Sequence, residues 1–288
     1  MLQTITPFRQ LARAYASLLS GSSALTQLSA EAKRCAERGG EIELAITQQF
    51  HEAVKSLPRV EIGNIALYQR MGLTLLLDRK SLVDYAVIEH GEWEAPQVSY
   101  LTGLIKESLK THPVTFLDLG SYWGLYSLMA MRAGVQTIHA FDADRHNFAQ
   151  LQSQVFLNNA AGVINCHWRA ISNKNGTIPF WDSRTHPDGN RGGVGVVQES
   201  DPRANAEVPC VRLDDYLPLS GQFIVAKMDL ESHETEALQG MVNLFANNKV
   251  ILQVEIYDEH MSSRQPILEQ LGLRQIHRIG YDHYLTNF

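Results

Sequence analysis

Apolar residues recur in short, strand-like runs from about residue 113 onward, and segments with helical spacing separate most of these runs. The runs predict strands over residues 115–119, 137–142, 163–168, 223–229 and 250–257. The intervening patterns predict helices over residues 125–132, 147–158 and 234–245. Strands that alternate with helices are typical of right-handed β-α-β units. The chain is therefore predicted to be an α/β protein with a doubly wound, mostly parallel sheet.

The first part of the chain shows a different pattern. Over residues 1–58, apolar residues such as Leu11 and Tyr15 recur at helical spacing, which predicts an N-terminal helical appendage. Amphipathic stripes are usually packing surfaces, so we expect the appendage to cover the sheet or to form a homo-oligomer contact. A role as a lid or in partner binding is the alternative. Residues 59–112 are predicted to form a small β/α lead-in segment, and residues 113–288 the main domain.

The composition is ordinary for a globular protein, with a small acidic excess. The 25 Lys and Arg residues against 31 Asp and Glu residues give a formal net charge of −6, which argues against bulk binding of nucleic acid. No apolar run approaches the roughly 20 residues that a membrane-spanning helix needs. The three cysteines are widely spaced and suggest neither a disulfide framework nor a zinc cluster. We therefore expect a cytoplasmic protein that acts on a small molecule.

Residues 116–124, F-L-D-L-G-S-Y-W-G, predict a strand, a tight turn and the start of a helix. Open α/β sheets bind nucleotide-like ligands at such a turn, and Gly120 would let the backbone approach the ligand closely. Asp118 places a negative charge there, which suits a cationic ligand better than a pyrophosphate. The dinucleotide spacing G-x-G-x-x-G is absent, because Tyr122 takes the place of the second glycine. S-adenosylmethionine (SAM), with its ammonium and sulfonium groups, meets this description.

The end of the chain breaks the alternation of strands and helices. Residues 273–279 and 283–288 are strand-like on either side of a turn at residues 280–282, which predicts an antiparallel β-hairpin. Together with the five parallel strands, the hairpin gives a seven-stranded, Rossmann-like sheet. This combination is typical of class I SAM-dependent methyltransferases, whereas dinucleotide dehydrogenases generally lack the hairpin.

Asp142 ends the second predicted strand of the main domain, 22 residues after Gly120. A carboxylate at this place can accept both hydrogen bonds of a ribose diol, so we predict that Asp142 binds the ribose of the cofactor. The alternative is a solvated loop acid or a helix cap. Asp144 is the better candidate for the cap.

The predicted fourth strand ends in an acid-rich stretch, K-M-D-L-E-S-H-E, which brings Asp229, Glu231 and His233 to the ligand-binding edge of the sheet. Acids this close repel each other, so the pKa of one carboxyl is expected to rise toward neutrality, as a general base requires. The alternative is that these acids belong to the first turn of a helix and are stabilised by its dipole. We adopt that alternative for Glu234 and Glu236.

Asp229 differs from those two because it ends an apolar strand, where a buried acid needs a partner or a function. Glu255 is a second acid in an apolar strand, V-I-L-Q-V-E-I. With Glu231, these two residues could offer oxygen ligands to Mg²⁺. Metal assistance therefore stays open, although no metal-binding residue is predicted.

The order of the motifs resembles the FkbM family of SAM-dependent methyltransferases, over roughly residues 80–257. The motifs are F-L-D-L-G-S-Y-W-G-L-Y-S-L, F-D-A-D-R-H-N-F, V-R-L-D-D-Y-L, K-M-D-L-E-S-H-E-T-E-A-L-Q-G and L-Q-V-E-I. The upstream G-E-W-E at residues 91–94 also matches the pattern of the family. The chain has Asp142 where a glutamate is common, and Ser232 and His233 where Gly-Ala is usual.

The turn of the family usually reads D-x-G-A-N-x-G, and here Ser121, Tyr122 and Trp123 fill its middle. Tyr122 or Trp123 could face a sulfonium through cation–π attraction, or both could simply pack on the sheet. The bulkier Ser232 and His233 could reshape the acceptor side of the site.

The resemblance implies SAM as the methyl donor and O-methylation of a hydroxyl on a sugar, glycolipid or polyketide-like natural product. The cofactor-binding residues that we predict with it are Glu94, Asp118, Gly120, Ser121, Tyr122, Gly124, Asp142 and Ala170. A hydroxyl is a poor nucleophile until its proton is removed, so a base is expected. Asp229 is the predicted base or acceptor-positioning group, with His233 as the alternative base. Glu231 is predicted to orient the site, with support from Glu255.

Two other classes of function stay open on the sequence. A catalytically silent binding or scaffold protein is one, because a fold alone does not fix a function. An NAD-dependent oxidoreductase is the other, although the glycine spacing disfavours it. Residues 181–207 are rich in glycine and polar residues without a period, which predicts either a loop that faces the substrate or a plain mobile insertion.

Overall fold

The computed structural model describes residues 64–187 and 189–288, so the appendage predicted over residues 1–58 lies outside the described residues. In chain order the strands are β1 (Ile65–Arg70), β2 (Leu73–Asp78), β3 (Val114–Leu119), β4 (Thr137–Asp142), β5 (Ile164–Trp168), β6 (Ala170–Ile171), β7 (Gly176–Phe180), β8 (Ala206–Val211), β9 (Phe223–Met228), β10 (Lys249–Glu255), β11 (Arg274–Ile279) and β12 (Asp282–Thr286). The α-helices are α1 (Leu82–His90), α2 (Ala95–Leu109), α3 (Leu125–Ala133), α4 (Arg145–Leu157), α5 (Leu213–Tyr216), α6 (Glu234–Gln239), α7 (Val242–Asn247) and α8 (Asp258–Gln270).

The main sheet has seven strands in the order β11-β12-β10-β9-β3-β4-β5. The five strands from β10 to β5 are parallel, and β12 runs antiparallel to both β10 and β11. This confirms the doubly wound, mostly parallel sheet with a C-terminal antiparallel hairpin. The chain leaves β3 toward β4 and β5 and then returns to the other side of β3 through β9. The topological switch point therefore lies between β3 and β9, where open α/β sheets bind their ligands.

The central strands are buried on both faces, because helices cover the sheet on either side. Every residue of β3 and of β9 is buried. Side chains alternate between the faces along a strand, so Phe116 joins the core under α2, α3 and α4 while Leu117 joins the core under α6 and α8. These apolar runs are the pattern that predicted parallel strands, and all five lie within two residues of their predicted ends.

The lead-in segment packs on the main domain through side-chain amides of α4. Gln154 donates to the carbonyl oxygen of Leu76 and accepts from its amide, at 2.8 and 2.9 Å, and Asn158 pairs in the same way with Thr74. These amides satisfy backbone groups along β2 that would otherwise be unpaired. The β1–β2 hairpin is thereby fixed against α4.

Three features differ from the sequence prediction. A small three-stranded sheet, β6-β8-β7, and the helix α8 were not predicted. The strands β6 to β8 are short, and α8 buries only three residues, so neither produces a long periodic pattern. The helix predicted over residues 234–245 is two helices, α6 and α7, and the chain at Gly240 between them lies against the carbonyl oxygen of Ser172 with no room for a Cβ.

Residues 181–205 connect β7 to β8 with little regular structure, as the pattern predicted. A 3₁₀ turn, Ser183–Thr185, and a single antiparallel bridge between Phe180 and Val196 are the exceptions in the described part of this loop. Within residues 64–187 and 189–288, no helix is both long and apolar enough to cross a membrane.

Candidate active site

A cleft of about 930 Å³ opens at the carboxyl ends of β3, β4 and β9. The predicted site residues that line it are Glu94, Gly120, Ser121, Tyr122, Asp142, Ala170, Asp229, Glu231 and His233. The end of β7 also contributes through Phe180, and the loop after β7 contributes through Gly192, Val194, Gly195 and Val196. The loop therefore forms part of the wall of the cleft, and its predicted role toward the substrate stays a prediction. Asp118 and Gly124 are the two predicted cofactor-binding residues that do not line it.

Asp118 lies beneath the turn and fixes the start of α3. Its Oδ2 accepts hydrogen bonds from the amide of Ser127 at 2.9 Å and from its hydroxyl at 2.6 Å. Burial raises the pKa of this carboxyl, which the two bonds from Ser127 partly offset. Asp118 is thus buried beneath the turn and does not line the cleft, and its predicted role in cofactor binding stays a prediction.

Both predicted glycines of the turn are required by packing. Gly120 has φ +83°, and a Cβ there would collide with the carbonyl oxygen of Asp229, so only glycine lets the turn approach the end of β9. A Cβ on Gly124 would lie 2.6 Å from Leu151 Cδ1 of α4. In the structure Gly120 allows a close approach between the turn and the end of β9, and the predicted approach to the ligand stays a prediction.

Asp142 is held at the end of β4 by two backbone amides. Its Oδ2 accepts from the amide of Tyr122 and its Oδ1 from the amide of Asp144, both at 2.8 Å. Burial raises the pKa of Asp142 well above its ordinary value, and the neighbouring Asp144 raises it further. Asp144 itself accepts from the amides of His146 and Asn147, which confirms it as the cap of α4.

The side chain of Tyr122 is anchored away from the cleft. Its hydroxyl donates to Asp84 Oδ1 at 2.8 Å and is hydrogen-bonded to Ser81. The guanidinium of Arg191 lies 5.5 Å from the centroid of the Tyr122 ring, so a cation of the chain itself already sits over this ring. Trp123, the other candidate for a cation–π contact, is fully buried in the core.

Asp229, the acid that follows β9, is paired with the buried Lys227. Its ammonium, on a side chain that is 7% exposed, lies 2.8 Å from Asp229 Oδ2 and 5.1 Å from the ring centroid of Tyr126. Burial alone would lower the pKa of Lys227, but Asp229 and Glu94 outweigh it and raise that pKa. Glu94 in turn accepts from the hydroxyl of Tyr126 at 2.7 Å. Sequence reasoning singled out the acids here and missed the buried lysine.

Glu231 stands where the cleft meets the loop after β7. It has φ +51°, and a Cβ built on Gly195 would lie 2.9 Å from Glu231 Cβ. Desolvation in the cleft raises its pKa to about 8, and repulsion by Asp229 and Glu255 adds to the rise. The same causes, desolvation and the charge of Asp229, raise the pKa of Glu255 to about 7. Glu231 remains exposed to water, so solvent screening limits its shift.

The described residues contain no group of three His, Cys, Asp or Glu side chains arranged to hold a metal ion.

His233 is hydrogen-bonded through Nε2 to Ser172 Oγ at 3.0 Å, and its Nδ1 lies 3.6 Å from Glu236. Burial lowers the pKa of His233, so the imidazole is neutral at neutral pH.

Glu234 does more than the first-turn role that the sequence suggested. Its carboxylate is 4% exposed and pairs with Arg264 at 2.8 Å. The other oxygen accepts from the amides of Leu230 and Ser232, at 3.2 and 3.1 Å. Glu234 therefore fixes the loop that carries Glu231. Glu236 is more exposed, with its side chain at 41%.

A second, more polar depression adjoins the cleft, and we call it the outer groove. It is open to solvent and is lined by residues that include Ser172, Lys174, Trp181, Gln198, Glu199, Arg203 and Glu236. Gly195, Val196, Glu231 and His233 line both the cleft and the outer groove. The two spaces therefore meet at Glu231 and His233. Sequence reasoning did not identify the outer groove, since its residues come from strands and loops far apart in the chain.

Buried polar atoms at the cleft fit a polar ligand. Ser121 Oγ, Trp123 Nε1 and Asp229 Oδ1 have no hydrogen-bond partner in the part of the chain that the structure describes. Buried polar groups almost always have a partner, and the hydroxyl, ammonium and carboxylate groups of SAM could supply such partners. The cleft at the switch point, with Asp142 at the end of β4 and acids beside Lys227, defines a class I SAM-dependent methyltransferase.

Residues 116–281 match the family model described as methyltransferase FkbM domain, which is more than half of the 288-residue chain. The chain belongs to the FkbM methyltransferase family, and SAM is its cofactor. An NAD-dependent oxidoreductase is therefore not supported.

Solved structures of methyltransferases are similar to the chain at low identity and with TM-scores below 0.5. The ribosomal protein L11 methylase of Lactobacillus delbrueckii subsp. bulgaricus is 14% identical at a TM-score of 0.41, covering 66% of this chain and 77% of that one. The magnesium protoporphyrin IX methyltransferase of Synechocystis PCC 6803, with bound SAM, is 13% identical at 0.40, covering 71% and 82%. An O-methyltransferase family protein from Burkholderia thailandensis is 10% identical at 0.41, covering 70% and 57%. No curated protein sequence matches the chain.

Proposed function

We propose that the protein transfers the methyl group of SAM to a hydroxyl of a polar acceptor, such as a sugar, a glycolipid or a polyketide-like natural product. The observation that carries the proposal is the meeting of the cleft and the outer groove at Glu231 and His233. Methyl transfer needs the acceptor oxygen and the methyl carbon in line, so the two molecules must approach the transfer point from different sides. Two adjoining spaces with acids at their junction suit that requirement.

The cleft side would hold the cofactor. Asp142, fixed by two backbone amides, would accept hydrogen bonds from the ribose hydroxyls. Ser121 Oγ would donate to a polar group of the cofactor, and the N-terminus of α3 would favour a carboxylate. Ala170 would lie beside the adenine, and Glu94 would lie near the cationic end. SAM supplies a methyl carbon on a positively charged sulfur, from which an oxygen nucleophile can displace it.

The junction would hold the acceptor hydroxyl. Asp229 has one oxygen bound to Lys227, and its Oδ1 would accept a hydrogen bond from the hydroxyl and orient it. Glu231 would take the proton, because a base is most effective when its pKa lies near the working pH. His233 is the alternative base, although its Nε2 is already bound to Ser172. Asp229 therefore serves as a positioning acid in this proposal and Glu231 as the base.

The lining of the outer groove supports a polar, hydroxyl-rich acceptor. Its polar side chains are amides, carboxylates, hydroxyls, a histidine, a lysine and an arginine, and Trp181 and a few aliphatic residues such as Val197 complete the lining. Arg203 is already paired with Asp201 at 2.7 Å. The groove thus offers many hydrogen-bonding groups and little free positive charge, which suits a neutral polar molecule better than a polyanion.

The test is a transfer assay with SAM across a panel of sugar and natural-product hydroxyls, read as the mass gain of one methylene. We expect at least one hydroxyl acceptor to be methylated, and Glu231→Gln to abolish the gain while Glu107→Gln, at an exposed residue of α2 outside both spaces, retains it. Titration calorimetry with S-adenosylhomocysteine is run in parallel. Tight cofactor binding without methylation of any hydroxyl acceptor would contradict O-methyl transfer and favour a catalytically silent binding protein.

A further inference from the structure

We propose that Arg191 and Asp84 are positioning residues of the cofactor site. They hold Tyr122 in a left-handed backbone conformation, and Tyr122 in turn orients the carboxylate of Asp142. The inference rests on the proposed role of Asp142 toward the ribose. It explains why this chain has a tyrosine in the middle of the cofactor turn.

The backbone at Tyr122 is the link to Asp142. Tyr122 has φ +52°, a region that L-residues with a bulky side chain rarely adopt without support. In this conformation its amide donates to Asp142 Oδ2 at 2.8 Å. If Tyr122 relaxed to a negative φ, its N–H would turn away from Asp142. The carboxylate would then keep only its bond from Asp144.

The side chain of Tyr122 supplies the support. Its hydroxyl donates to Asp84 Oδ1 at 2.8 Å, and Asp84 is fully buried at the start of α1. Asp84 also accepts from the amide of Asp78 and from the side-chain amide of Gln150, both at 2.8 Å. These bonds fix the carboxylate firmly. Tyr122 is therefore clamped at both ends, by Asp142 at its backbone and by Asp84 at its hydroxyl.

Arg191 completes the clamp from the loop after β7. Its Nη2 lies 3.2 Å from Asp84 Oδ2 and 2.7 Å from Gln150 Oε1, and its side chain is only 12% exposed. Its guanidinium lies 5.5 Å from the ring centroid of Tyr122. A carboxylate as buried as Asp84 needs a positive partner to stay ionised, and Arg191 is that partner. Arg191 does not line the cleft, so it would act through Tyr122.

The clamp also joins the loop to the cofactor site. The carbonyl oxygen of Arg191 accepts from Asn147 at 2.9 Å, and Gly192, the next residue, lines the cleft. Asparagine adopts a left-handed backbone more readily than tyrosine does. Tyrosine at position 122 therefore needs an anchor, and this chain provides one from α1 and from the loop.

The experiment compares the affinity of each variant for S-adenosylhomocysteine and for its 2′-deoxy analogue by titration calorimetry. The wild-type protein should bind the 2′-deoxy analogue about 10-fold or more weakly, because a hydrogen bond to the buried Asp142 is lost. Asp142→Asn should remove most of this preference for the ligand that carries the 2′-hydroxyl, which we call the ribose preference. Arg191→Met and Tyr122→Phe should reduce it to within about 3-fold, since Asp142 is then no longer held in place.

Arg184→Met is the matched control. Arg184 lies on the same loop and pairs with Asp182, outside the clamp and outside the linings of the cleft and the outer groove. Its loss should leave the ribose preference unchanged. A merely structural role of Arg191 would weaken both ligands equally and leave their ratio intact.

The outcomes separate this inference from the proposed function. Loss of the ribose preference in Asp142→Asn together with its retention in Arg191→Met and Tyr122→Phe would overturn the inference alone. If Asp142→Asn kept the ribose preference, the proposed role of Asp142 toward the ribose would be overturned, and the inference rests on that role. If Arg191→Met does not fold, the double variant Asp84→Asn/Arg191→Met removes both buried charges. It should fold with the preference lost, and a retained preference there would equally overturn the inference.

Discussion

The ammonium of Lys227 lies 2.8 Å from Asp229 Oδ2, which leaves Oδ1 as the carboxylate oxygen without a partner among the described residues. Lys227 is buried and also lies near Glu94 and Asp118. The lysine therefore fixes the direction of the Asp229 carboxyl group. A carboxylate held in this way can orient a hydroxyl without reorganising during the reaction.

Asp229→Asn tests this role. The amide cannot present the same charged acceptor, so we expect kcat to fall by about 100-fold or more. The affinity for S-adenosylhomocysteine should change little, because Asp229 is not assigned to the cofactor. Asp215→Asn is the control, since Asp215 is an exposed residue paired with Arg212. Near-normal turnover in Asp229→Asn would remove Asp229 from the site.

The pH dependence of turnover tests Glu231 as the base. A base must be deprotonated to act, and the pKa of Glu231 is raised to about 8 by desolvation and by Asp229 and Glu255. We therefore expect kcat to increase with pH, with an apparent pKa above the ordinary range of glutamate and no higher than about 8. Solvent screening at this exposed residue brings the value below that limit. A kcat profile that is flat between pH 5 and pH 8 would contradict the assignment.

The same raised pKa predicts an effect on stability. The folded state holds a proton on Glu231 at a pH where the unfolded chain, with an ordinary value of 4.5, has lost it. The contribution of Glu231 to stability is therefore complete below about pH 4.5 and is lost as the pH rises toward 8. Glu231→Gln removes this titration. The Tm of the variant relative to wild type should be higher at pH 8.5 than at pH 5, as measured by thermal denaturation. An equal difference at both values would show that the pKa of Glu231 is not raised.

Much of the fold was predictable because it depends on local pattern. Long apolar runs marked the parallel strands, and the turn at Gly280 marked the hairpin. The clamp on Tyr122 was not predictable, because Arg191 and Asp84 are 107 residues apart and neither lies in a recognisable motif. The acids of the junction were visible in the sequence, but Lys227 was not singled out. Lys227 matters because its side chain is buried beside Asp229. The pattern of an apolar strand does not show which polar side chain within it is buried against a partner.

The buried pair of Glu234 and Arg264 gives a prediction about the loop that carries Glu231. Arg264→Met leaves the carboxylate of Glu234 buried and unpaired, which should lower the free energy of unfolding by about 3–5 kcal/mol. Turnover should fall as well, since Glu234 also binds the amides of Leu230 and Ser232. Urea denaturation measures the first effect and the transfer assay the second.

The control for that variant is Arg278→Met, which breaks an ion pair with Asp258 at the surface and should cost no more than about 1 kcal/mol. The double variant Glu234→Gln/Arg264→Met should be more stable than Arg264→Met, because no buried charge is left without a partner. Equal losses in Arg264→Met and Arg278→Met would show that the Glu234 pair is not buried.

The turn at Gly120 approaches the end of β9 closely, so substitutions of Gly120 and Gly272 by alanine should have different effects on stability. Gly272 has φ +68° and no atom within 4 Å of a built Cβ, so Gly272→Ala should cost only the left-handed backbone, about 1–2 kcal/mol. Gly120→Ala has the same backbone cost and, in addition, a collision with the carbonyl oxygen of Asp229. It should therefore lose at least about 1 kcal/mol more in urea denaturation. Because the collision displaces the turn, the affinity for S-adenosylhomocysteine should also fall in Gly120→Ala and stay unchanged in Gly272→Ala. If both variants lose the same stability and keep their affinity, the turn and the end of β9 are not in contact.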